Sequence, residues 1–84
     1  MLYAKFVRPD CGYEDEIKTS LELLKVGHKY KVEFVSIGRS YSNIHLAGFN
    51  HIFNSFQFDF EDENGLSVDI YEDPKYNPYL NFWR

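Results

Sequence analysis

The stretch KVGHKYKVEFVSIG, Lys25 to Gly38, decides the fold. Tyr30, Val32 and Phe34 share one parity and Lys29, Lys31 and Glu33 the other, which is the period of a half-buried strand. The apolar phase then slips, because Val35 and Ile37 fall on the opposite parity. A slip inside one strand predicts a bulge or strong bend, the device by which a strand turns a barrel corner. The stretch therefore reads as the central strand of a small β-barrel, entered through the turn Lys25-Val26-Gly27 and left through Gly38-Arg39-Ser40-Tyr41. Beyond that turn Ile44 and Leu46 face the core, with Asn43, His45 and Ala47 outward.

The flanking segments pack around this strand. Leu2 to Val7 is a first strand with Leu2, Ala4 and Phe6 inward, stopped by Pro9 and the turn Asp10-Cys11-Gly12. Over residues 14–24 the spacing of Ile17, Leu21 and Leu24 predicts a short helix, with Glu14, Asp15 and Glu16 in its first turn. A loop is the competing reading. Gly48 to Ser55 is a connector carrying Phe49 and Phe53.

A hairpin follows. Phe56, Phe58 and Phe60 alternate with polar residues, as do Leu66, Val68 and Ile70. A three-residue loop Glu63-Asn64-Gly65 pairs Phe60 with Val68 and Phe58 with Ile70. It keeps one face apolar and puts Gly65 at the left-handed position. A two-residue loop would set Phe60 against Asp69 and break that face. The tail, residues 71–84, has Pro74, Pro78 and five aromatics, which are expected to pack back over an open end of the barrel.

An 84-residue chain is read as one domain, residues 1–84. Eight Phe, seven Tyr and one Trp favour sheet over a helical bundle. The single cysteine, Cys11, excludes an intramolecular disulfide, so a cytoplasmic location is expected. Residues 1–8 lack the apolar core of a leader, and no apolar run approaches the roughly 20 residues of a membrane helix. Charge is uneven. Residues 1–45 hold seven Lys/Arg and six Asp/Glu, whereas residues 46–84 hold two and seven. The acidic second half opposes non-specific nucleic-acid binding and suits a basic protein partner.

Three motifs in order carry a resemblance: L-x-x-G-x-x-Y-x-V at Leu24 to Val32, I-G-R-S-Y-S-x-I-x-L at Ile37 to Leu46, and F-N-S-F-x-F-x-F at Phe53 to Phe60. Residues 24–80 resemble a group of small uncharacterised SH3-like β-barrel proteins of bacteria, phages and mobile elements. The resemblance implies an all-β SH3-like barrel of about five strands, with the short helix as an addition. It does not extend to peptide-binding signalling SH3 domains, whose paired Trp and P-x-N-Y segment have no counterpart here.

No catalytic constellation stands out. Cys11, His28, His45 and His51 match no zinc spacing and read as unrelated surface residues, so no metal and no cofactor is expected. A Cys11–His28 or Cys11–His51 nucleophile lacks an orienting third group. An enzyme is therefore not expected. In the three-residue register Asp59 lies opposite Asp69, with Glu61, Asp62 and Glu63 beside them. Like charges opposed across strands are destabilising. They fit either edge protection or an acidic surface that docks on a bacterial protein, with Tyr41, Phe49 and Phe53 as an accompanying aromatic cluster. The functional expectation is thus a non-enzymatic protein-binding module, a phage or mobile-element accessory or inhibitor by resemblance. The alternative is a nucleic-acid-binding barrel using Lys29, Lys31 and Arg39.

Overall fold

The phase slip in Lys29–Ile37 is a break in a hydrogen-bonded ladder. The computed structural model describes residues 1–80, and in it this segment is the strand β2. Opposite it runs β3, Ser42–Leu46. Val32 faces Leu46 and Phe34 faces His45, so two steps on β2 meet one on β3 and Glu33 is the extra residue. After the bulge Val35 pairs with Ile44. Phe34 is the exception to the sequence reading. It lies just past the slip and is turned outward, 52% exposed.

The remaining strands are β1 (Leu2–Phe6), β4 (Ile52–Asn54) and β5 (Phe58–Asp62). All ladders are antiparallel, in the order β4-β3-β2-β1-β5. The order leaves β4 and β5 as the two edges, so the sheet is open. One turn of 3-10 helix, Ser55–Gln57, joins them. Inward residues of each strand make one apolar cluster, with Ala4, Phe6, Ile44, Leu46 and Ile70 fully enclosed. No helix of the described residues is long and apolar enough to cross a membrane.

The helix reading holds, with a different face inward. Helix α1 spans Glu14–Leu23, and the Glu16 carboxylate accepts from the Tyr13 N–H at 2.8 Å, fixing its first turn. Ser20 and Leu24 are buried, while Leu21 is 51% exposed. The physical reason is polar. Ser20 is enclosed because its hydroxyl accepts from Gln57 Nε2 at 3.0 Å while donating to the Ile17 carbonyl.

The hairpin register is as read, but the second arm is short. Glu61 bridges Ser67, the Val68 N–H donates to Phe60, and Gly65 has φ +80°. Past Val68 the chain leaves the ladder, because Asp69 Oδ1 accepts from the Tyr71 N–H and turns it. Leu66 is exposed and Ile70 enters the core without strand pairing. Phe56 is likewise not on the strand face. The 3-10 turn resets the parity, so Phe56 is half-exposed against Tyr71 (ring centroids 5.1 Å apart) and Gln57 goes inside. Of the tail, Tyr71 and Tyr76 pack against the core, and the Tyr71 hydroxyl reaches Ser55 Oγ at 2.6 Å. Phe82 and Trp83 lie outside the described residues.

Gln57 ties these parts together. Its two Nε2 N–H groups are shared among Pro9 O, Cys11 O and Ser20 Oγ, and its backbone carbonyl accepts from both the Val7 and Arg8 N–H groups. Removing the amide strands buried acceptors, so Gln57→Leu is expected to cost about 3 kcal/mol. Leu21→Ala is expected to stay within about 0.5 kcal/mol, the range of exposed sites. Urea denaturation of both variants checks the pair of values; a large loss at Leu21 would put that side chain in the core.

Candidate functional site

The hairpin acids Asp59 and Glu61 and the strip residues Lys29 and Lys31 lie on one face of the sheet. Across β2, β1 and β5 the register forms two rows, Lys31–Tyr3–Glu61 and Lys29–Lys5–Asp59. Lys29 ion-pairs with Glu61, and Arg8 with Asp59 at 2.8 Å. Glu63 holds the Met1 ammonium at 3.0 Å. A hydrogen bond from its own backbone, reinforced by that ammonium, keeps the Glu63 carboxyl below the usual carboxylate range.

Local geometry occupies the other acids. Asp62 Oδ1 accepts from the Asn64 and Leu66 N–H groups and closes the hairpin loop. Asp69 makes the turn to Tyr71, and among the described residues no ladder pair joins it to Asp59. Arg8 has a second role. Its guanidinium donates to the Phe56 and Phe58 carbonyls, at 2.8 and 2.5 Å, and covers acceptors at the open end of β5.

The aromatic cluster is mostly core. Phe53 is 3% exposed on β4, and Phe49 packs edge-on against it at 5.9 Å, which makes both rings part of the packing. Tyr41 remains half-exposed over Gly38. Of the basic residues, Lys29 is paired and Arg39 sits in the β2–β3 turn, beyond the bulge from Lys31. Cys11, His28, His45 and His51 are not gathered; among the described residues no group of three or more His, Cys, Asp or Glu is placed to hold a metal.

Another surface was not read from the sequence. On the outer face of β2, β3 and β4, Phe34 pairs with His45 and His45 with Ile52, in one cross-strand row. Phe34 and His45 are stacked, centroids 3.9 Å apart and planes at 22°. Ile52 is 58% exposed. The signal for this row was the slip itself, which leaves Phe34 free of the core phase. At the Ile52 end the row meets the acidic first turn of α1, since Ile52, Asp15 and Glu16 line one small pocket.

Fold and surface together define a small, mostly β protein with three ion pairs that engage Asp59, Glu61 and Glu63 and an exposed apolar row. The chain belongs to the phage protein family described as Bacteriophage T4 protein Y07B, whose family model matches residues 1–82. No curated protein and no solved structure matches it.

The charge pairing sets a testable sign. Asp59→Asn is expected to destabilise by about 0.5 kcal/mol, the scale of an exposed pair, with the effect fading near 1 M salt. Arg8→Ala is expected to cost about 2 kcal/mol, because it also uncovers two carbonyls. Thermal or urea unfolding at two salt concentrations checks both. Stabilisation by Asp59→Asn would restore the like-charge reading.

Proposed function

We propose that this phage-family protein is a non-enzymatic protein-binding module that docks through the Phe34–His45–Ile52 row. The observation that carries the reading is the contrast between two faces. On the β2-β1-β5 face the carboxylates of Asp59, Glu61 and Glu63 already have cations. On the β2-β3-β4 face two large apolar side chains stand in register, more than half exposed, on either side of an imidazole. Contiguous exposed apolar surface marks interaction sites, and aromatic anchors supply much of their energy.

The partner has a stated chemistry. It is a bacterial protein presenting an apolar side chain beside a basic one. The basic group suits Asp15 and Glu16 where the row meets α1, and the net charge of −4 favours its approach. The acidic component of docking thus moves from the hairpin to the first turn of α1. For the fold, we infer an opened form of the SH3-like barrel. In support, all five strands are antiparallel, and β2 pairs with both β1 and β3 with a register shift between Val32 and Phe34. The 3-10 turn between the edge strands fits the same reading.

The test compares two double variants in pull-downs from bacterial lysate. Phe34→Ser with Ile52→Ser is expected to keep stability within about 1 kcal/mol, as for exposed positions, and to lose a partner that the parent retains. Asp59→Asn with Asp69→Asn is expected to keep it. Loss of the partner only in the second pair would return docking to the hairpin. Capture of nucleic acid, released steeply by salt, would replace the reading with the basic-face alternative.

A further inference from the structure

The row Phe34–His45–Ile52 has unlike ends. At the β2 end Lys31 is the outward residue before Phe34, with the extra residue Glu33 exposed at the bulge between them. Lys31 is itself exposed. Among the described residues it takes part in none of the ion pairs, whose cations are Met1, Arg8 and Lys29. At the β4 end Asp15 and Glu16 of α1 share a pocket with Ile52. Glu16 accepts from the Tyr13 N–H, and no ion pair among the described residues includes either carboxylate. The row therefore runs from an unpaired cation to unpaired anions, with an exposed apolar side chain at each end.

An apolar side chain beside a basic one is the partner chemistry set out above, and this chain carries it in Phe34 and Lys31. A twofold axis in the plane of contact, parallel to the strands and passing over His45, turns one copy's outer face onto the other's and reverses the row. Phe34 of each copy then meets Ile52 of the other, so one operation covers all four exposed apolar side chains in two equal contacts. The same operation brings Lys31 of each copy to the α1 side of the other, where Asp15 and Glu16 stand. Rows laid the same way round would crowd both cations at one end and the carboxylates at the other, which like-charge repulsion opposes. We infer that the row is closed by a second copy of this chain, in an isologous homodimer with antiparallel rows that pairs Lys31 with Asp15 or Glu16 across the interface. The inference rests on the docking reading above in taking the row as an interaction surface. It adds that self-association competes with partner binding for the same side chains.

The experiment is sedimentation equilibrium of the full chain over a concentration series, with circular dichroism to confirm that each variant is folded. The parent is expected to follow a monomer–dimer equilibrium, and Phe34→Ser with Ile52→Ser to be monomeric. Lys31→Glu is expected to weaken the dimer about tenfold, because each charge change enters the symmetric interface twice. Adding Asp15→Lys to Lys31→Glu in the same chain is expected to recover affinity, the mark of a direct coupling. Glu33→Gln, which removes the like charge at the cationic end, is expected to tighten the dimer. A parent that stays monomeric up to about 1 mM would overturn the inference. A dimer that survives Phe34→Ser with Ile52→Ser would overturn it too, by placing the contact on another face. Indifference to Lys31→Glu, or a loss that Asp15→Lys deepens, would overturn the antiparallel arrangement. The docking reading fails separately. It falls if the Phe34/Ile52 variant keeps its bacterial partner in the pull-down, whatever the parent's oligomeric state, and a monomeric parent leaves it standing.

Discussion

One extra residue in β2 governs this molecule. A strand has a side-chain period of two, so apolar residues at 30 and 32 and then at 35 and 37 cannot all face one core without an insertion. Glu33 is that insertion, and the ladder to β3 steps across it between Val32 and Phe34. The N-terminal part of β2 pairs with β1, and the part around and beyond the bulge pairs with β3. The same step that buries Val32 and Ile44 sends Phe34 to the outer face, where it stacks on His45. The buried core and the exposed apolar row are two results of a single register change.

The second constraint is polar. The edges of an open sheet must be covered, and here the coverage runs through Gln57 and Arg8. Gln57 binds the loop after β1, the helix and the 3-10 turn into one hydrogen-bonded unit. Arg8, held next to it by its own backbone bond to Gln57, reaches along β5 to two carbonyls and to Asp59. The charged face is thereby committed to the chain's own structure. On the ladder β2-β3-β4, by contrast, Phe34 and Ile52 stand exposed in one cross-strand row. The pocket beside Ile52 continues that surface towards α1.

The parts of this arrangement legible in the sequence were those set by local periodicity. The slip between Val32 and Val35, the inward faces of Leu2–Phe6 and Ile44–Leu46, and the loop Glu63-Asn64-Gly65 all follow from alternation or from one glycine's conformation. Features that depend on a distant partner were not legible. Gln57 sits between two phenylalanines and reads as a solvent-facing residue until the turn at Ser55 inverts the parity. Ser20 looks less suited to a core than Leu21, and only its bond to Gln57 explains why it is inside. The acidic hairpin looked like a free patch because its cations, Arg8 and Lys29, are far away in sequence and adjacent only in the sheet.

The most direct test of the account is solvent paramagnetic relaxation by a soluble gadolinium chelate, read on the side chains of Phe34, Ile52, Ile44 and Phe53. Strong relaxation is expected at Phe34 and Ile52, and protection at Ile44 and Phe53. Protection of Phe34 alongside Val32 would contradict it, since β2 would then keep one phase, the bulge at Glu33 would be absent, and the outer apolar row would not exist.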